Sequence, residues 1–137
     1  MTYAAHRSEY FNVTMNIGAD EAYEVLDHLA KLGANFLAIN AVPIGPQGTQ
    51  LTLFPEDASM LQAIAKQTGI NLVGPYSAVI VQGDDEPGVL GAIHKKLHQH
   101  HIQAFTSTAI TDGKGRYGCI LYIRSEDAAR AVKALTE

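Results

Sequence analysis

The constraint that most narrows the fold of this chain is a repeat: its order of strand-like and helix-like segments starts over after about 68 positions. In the first copy Phe11, Val13, Met15 and Ile17 alternate with Asn12, Thr14 and Asn16 over 10–17, the two-residue period of a strand with one wet face. Asp20 is the expected N-cap of a helix carrying Ala22, Val25, Leu26, Leu29 and Leu32, which Gly33 stops. Residues 35–42 and 49–54 read as a hairpin turned by Gly45-Pro46-Gln47-Gly48. A helix opened by Pro55-Glu56-Asp57-Ala58 follows, with Met60, Leu61, Ile64 and Ala65 inward, and a short strand over 70–73 closes the unit.

From Tyr76 the same order returns. The shift lays Ala22 on Leu90, Val25 on Ile93, Leu29 on Leu97 and Asn35 on Gln103. The turns Gly45-Pro46-Gln47-Gly48 and Asp112-Gly113-Lys114-Gly115 coincide, as do, after a small length change in the preceding strand, the helix openings Glu56-Asp57-Ala58 and Glu126-Asp127-Ala128. We therefore expect an α+β chain of two units, 1–75 and 76–137, each with an antiparallel sheet and helices on one face. The second lacks its last strand. An open sheet edge leaves N–H and C=O groups unpaired and favours pairing, so the arm 2–8, the strand 70–73 or a second subunit is expected there. A homodimer is the expected assembly.

Between the strand Ala78-Val79-Ile80-Val81 and the next helix stands Gly83-Asp84-Asp85-Glu86-Pro87-Gly88-Val89-Leu90. A helix N-terminus offers free backbone N–H groups, and a glycine beside it lets an anionic group approach the backbone. Taken alone, the turn reads equally as a dipole-stabilising acidic start, with Asp85 serving no ligand.

Over residues 79–135 the chain resembles the ACT domains, ferredoxin-like βαββαβ modules that bind amino acids and regulate metabolic enzymes. Asp85-Glu86-Pro87-Gly88-Val89-Leu90 matches the family's Asx-x-Pro-Gly-x-Leu turn. His101-Ile102-Gln103-Ala104 stands where the family commonly has Gly-Val-Asn-Ile. In the first copy Gly33-Ala34-Asn35-Phe36 keeps that second motif, while Ala19-Asp20 replaces Pro-Gly. The resemblance implies a stand-alone tandem regulator with no catalysis and no cofactor, its amino-acid effector held between domains. Asp85, Pro87, Gly88, Val89 and Leu90 would form one side of the site, and Asn35, or Gln103 across subunits, the other. N–H groups near Gly88 would take the carboxylate, while Asp85 and an amide oxygen take the ammonium. The regulated enzyme would be a separate protein.

Rival readings are narrower. His94 and His98, spaced i, i+4, share a helix face and form the alternative metal site, opposed by the charges of Lys95 and Lys96. An oligomerisation module without a ligand is the other alternative. Cys119 lies in a strand with no histidine near and reads as a small core residue. No nucleophile–base pair or phosphate loop is present, so an enzyme is not expected. A net charge of −4 without a basic stripe argues against nucleic acid. Apolar runs stay below the roughly 18 residues of a membrane span, and the N-terminus lacks a signal-peptide core, so a cytoplasmic location is expected.

Overall fold

A computed structural model of the chain describes residues 3–137. In chain order the strands and α-helices are β1 (Tyr3–Met15), α1 (Tyr23–Lys31), β2 (Phe36–Pro43), β3 (Thr49–Pro55), α2 (Ala58–Thr68), β4 (Val73–Asp84), α3 (Val89–Gln99), β5 (Ala104–Thr111), β6 (Arg116–Ile123) and α4 (Ala128–Thr136). The chain divides into two compact units, Glu9–Tyr76 and Ser77–Glu137, the latter joined by the residues up to Ser8. Among the described residues no helix is long and apolar enough to cross a membrane.

In the unit Glu9–Tyr76 the strands lie in the order β2-β3-β1-β4. Phe11 stands opposite Leu53 and Met15 opposite Thr49 in the antiparallel β1–β3 ladder. The alternation seen in the sequence places Phe11, Val13 and Met15 in a core with Leu29, Leu51, Leu53, Leu61 and Ile64. Asp57 caps α2 by accepting a hydrogen bond from Met60 N at 3.1 Å, and Gly69 ends that helix at φ +78°. Asp20 does not cap α1: it sits inside a short 3-10 turn, Ala19–Glu21, in which Glu21 N donates to Gly18 O, and α1 begins after Ala22. Nor does residue 73 end a separate short strand. β4 runs unbroken from Val73 to Asp84, because Gly74 lets the backbone close on β1; a Cβ there would stand 2.9 Å from Tyr10 O and 3.1 Å from Phe11 Cδ1.

The unit built on Ser77–Glu137 has the order β1-β4-β6-β5, its β1 portion being residues 3–8. The N-terminal arm is thus the segment that fills the open edge. Tyr3 Oη donates to Leu135 O at 2.9 Å, Arg7 Nε to Ser77 Oγ at 2.9 Å, and Ser77 N to Ser125 Oγ at 3.0 Å. Tyr3 and Ala5 pack on a core of Val79, Val81, Ile93, Leu97, Leu121 and Leu135. Cys119 is buried in that core, and burial pushes its thiol pKa up.

Backbone pairing repeats at an offset of 68. Phe11–Leu53 through Met15–Thr49 recur as Val79–Leu121 through Gly83–Tyr117. Phe36–Pro55 through Pro43–Thr49 recur as Ala104–Ile123 through Thr111–Tyr117, including a register shift between Phe36 and Ala38 and between Ala104 and Thr106. The helix ends match too: Ala34 N donates to Leu29 O, and Ile102 N to Leu97 O. The left-handed residues behind them are Gly33 at φ +99° and His101 at φ +56°. The expected pairing of Ala22 with Leu90 fails at one point, since Ala22 is buried and Leu90 is 39% exposed. α3 starts directly after Gly88 whereas α1 follows a 3-10 turn, so Val89 takes the buried place.

Candidate functional site

β4 ends in Asp84, whose carboxylate pairs with Arg116 at 2.8 Å on the neighbouring strand. Both groups are about half exposed, so the pair fixes geometry more than it adds stability. Asp85 N then donates to Gly115 O at 2.9 Å, which holds the turn against the start of β6. Gly88 takes φ +85° as the residue before α3, and Ala92 N donates to its carbonyl at 3.0 Å. A Cβ on Gly88 would meet nothing within 4 Å. Glycine is therefore required there by the left-handed backbone, and the space in front of it is open.

Around this turn Asp85, Pro87, Gly88 and Leu90 are exposed while Val89 is buried. Val89 N donates to Glu86 O at 3.2 Å, and its side chain belongs to the core, so Val89 anchors the turn. The first turn of a helix leaves N–H groups without intrahelical partners, and in α3 that turn begins Val89-Leu90-Gly91. The macrodipole adds partial positive charge at the same place.

Gln103 is elsewhere. It follows α3, whose 11 residues span about 16 Å, so Gly88 and Gln103 stand at opposite ends of one helix. Gln103 lines a cleft of about 390 Å³ with His94, Leu97, His98, His101, Ile102 and Ala104. Asn35, in the unit Glu9–Tyr76, donates from Nδ2 to Glu56 Oε2 at 2.7 Å and accepts at its carbonyl from Glu56 N at 2.9 Å. It lines a hollow of about 180 Å³ with Gly33, Ala34, Pro55, Glu56, Asp57, Met60 and Leu61. Within either unit, then, the residues of the turn and the amides are not brought together.

His94 and His98 sit one turn apart on α3, and His94 Nε2 is 3.1 Å from Ser107 Oγ on β5. Among the described residues no three His, Cys, Asp or Glu side chains are grouped to hold a metal ion.

Tyr117 is a residue whose position the sequence did not disclose. It stands opposite Gly83, where the other ladder has Thr49 opposite Met15: the large and small side chains have changed places. Thr49 Oγ1 donates to Ile17 O at 2.8 Å, whereas the Tyr117 hydroxyl, 5% exposed as a residue, has no partner among the described residues. Burial raises its pKa, with Cys119, Tyr3 and Asp85 adding to the rise. The only sequence signal was an aromatic residue in phase with Cys119 and Leu121 on an inward face.

No protein-family model matches the chain, and no curated protein does. Solved structures do. A protein from Bacteroides thetaiotaomicron superposes with a TM-score of 0.79 at 14% identity, over 96% of this chain and 88% of that one. The ligand-free regulatory subunit of aspartate kinase from Thermus thermophilus gives 0.68 at 17% identity, over 99% and 95%. A structure of aspartokinase alpha and beta subunits gives 0.61 at 16%, over 98% and 95%. At these identities the likeness is one of fold, an α+β chain similar to regulatory subunits of aspartate kinase.

Proposed function

We propose that this chain is a non-catalytic regulatory protein of the ACT type, a tandem of two ferredoxin-like βαββαβ units that binds an amino acid and acts on a separate enzyme. The tandem reading rests on the 68-residue recurrence of both ladders, with residues 3–8 standing in for the second unit's last strand. The effector reading rests on the turn at Gly88: a left-handed glycine and an open approach at the head of an 11-residue helix, whose first turn offers N–H groups to an anion. The likeness to aspartate-kinase regulatory subunits supports a regulatory role.

In this reading the α-carboxylate meets the N–H groups of Leu90 and Gly91 beside Gly88, and Asp85 accepts from the ammonium. Asn35, through the oxygen left when its nitrogen serves Glu56, or Gln103 from a second copy of the chain completes the ammonium's partners. Calorimetry against the twenty amino acids tests it. One of them is expected to bind below millimolar, and Gly88→Val to weaken it at least roughly 10-fold, since a β-branched residue resists positive φ and its bulk fills the approach. Equal binding by the variant, or no binding, would falsify the effector reading.

A second reading, an oligomerisation module, is favoured by the outer strands. Among the described residues β2 pairs only with β3 and β5 only with β6, yet neither carries a charged residue, and Ile110 is 76% exposed. Uncharged edges invite another strand. Either reading includes a homodimer, so light scattering should give twice the chain mass. Introducing lysine as Ile39→Lys with Ile110→Lys should return it to the monomer mass; an unchanged dimer would place the interface elsewhere.

A further inference from the structure

The cleft at the C-terminal end of α3 has features that the effector turn does not use. At about 390 Å³ it falls within the size range of small-molecule sites, roughly 300–1,000 Å³. Its floor is apolar, made by Leu97 and Ile102, which are 2% and 4% exposed, with Ala104. Its rim is polar: His94 and His98 from one face of α3, then His101 and Gln103 from the segment leading to β5. His101 is held at φ +56°, where the equivalent residue of the other unit is glycine. All four rim side chains can donate N–H hydrogen bonds, and no Asp or Glu lines the cleft.

We infer that this cleft binds a small organic anion carrying two or more carboxylate groups. A metal ion needs its donors gathered round one point, and no such group of three is present among the described residues. Imidazoles spread over a rim suit a multi-atom acceptor instead, with each ring donating to a different oxygen. Charge-assisted bonds of this kind are roughly twice as strong as neutral ones. His94 is restrained by its contact with Ser107 Oγ, and the apolar floor takes the ligand's carbon skeleton. The site lies at the opposite end of α3 from Gly88 and does not rest on the effector reading, with which it shares only Gln103.

The test is calorimetry, with histidine ring NMR shifts, using succinate, acetate, inorganic phosphate and zinc chloride as probes. Succinate is expected to bind in the sub-millimolar range and to shift the His94 and His98 resonances, with acetate roughly 10-fold weaker for want of the second carboxylate. His94→Gln with His98→Gln should weaken succinate by roughly 10-fold or more. Both residues are exposed, so the fold should survive, and circular dichroism checks that. His100→Gln is the control, since its ring is tied to Lys96 O and Glu137. The inference is overturned by any of three results: no succinate binding at 10-fold above the expected range, equal affinity in the double variant, or zinc rather than succinate as the probe whose binding depends on His94 and His98. Phosphate binding as tightly as succinate, with the same dependence on His94 and His98, would overturn the carboxylate assignment.

Discussion

Deleting residues 1–8 is expected to destabilise the unit Ser77–Glu137 strongly while Glu9–Tyr76 keeps its stability. The arm contributes the strand next to β4, so its loss strips ladder partners from β4 and uncovers the core beneath Tyr3 and Ala5. It also removes the Tyr3–Leu135 bond that ties α4 down and the Arg7–Ser77 bond. Each backbone bond adds about 0.5–1.5 kcal/mol net, and each apolar side chain uncovered adds to that. The total is on the order of 3–5 kcal/mol, a large fraction of the roughly 5–15 kcal/mol that holds a small domain together. At about 4–8 °C per kcal/mol for a unit of this size, the melting temperature of that unit should fall by roughly 15 °C or more. Hydrogen exchange locates the effect: amides of 77–84 and of α4 should lose protection, and those of 49–55 should keep it. A peptide of residues 1–9 added in excess should restore part of the protection. Unchanged exchange after the deletion would mean that the arm is an ornament on a sheet already closed.

The strand alternation and the 68-residue offset were legible because the inward positions of β1, β3 and β6 are apolar and evenly spaced, and hairpin turns announce themselves through glycine. The arm was harder to read. His6 and Arg7 interrupt any two-residue pattern over 3–8, and the sheet tolerates Arg7 because its guanidinium meets Ser77, a partner 70 positions away that no local pattern reveals. Asp20 looked like a cap by composition, but the 3-10 turn through Ala19–Glu21 leaves it short of the helix start. That Val73 opens the strand carrying 78–81, rather than closing a separate strand over 70–73, depended on Gly74 packing against Tyr10 and Phe11, again a tertiary fact. At the candidate site the Pro-Gly turn was visible in the residues themselves. Its relation to the amides was not: Gln103 stands one helix length away, and the Asn35 amide nitrogen is engaged by Glu56. Spacing along a chain fixes which residues share an element, while the engagement of a side chain by a neighbour from another element is decided only on folding.

Leu53→Ala and Leu121→Ala form the sharper test of the repeat, because they remove the same atoms from equivalent places. Both leucines are fully buried, and they occupy matching ladder positions, opposite Phe11 and Ile39 in one case and Val79 and Ser107 in the other. Truncation to alanine removes the transfer energy of the side chain and leaves a cavity that a close-packed core fills only in part, for a cost of about 2–5 kcal/mol. If each unit has its own core, each variant should depress one thermal transition by roughly 10–25 °C and leave the other nearly in place. Exchange should then rise over 9–15 and 49–55 in Leu53→Ala, and over 79–84 and 116–123 in Leu121→Ala. The core around Leu121 is closed partly by residues 3–8, with Tyr3 and Ala5 packed on it. Combining Leu121→Ala with deletion of 1–8 should therefore give less than the sum of the two effects, since both act on one core. Full additivity, or a uniform loss of protection along the whole chain in either single variant, would replace two repeated cores with one cooperative unit.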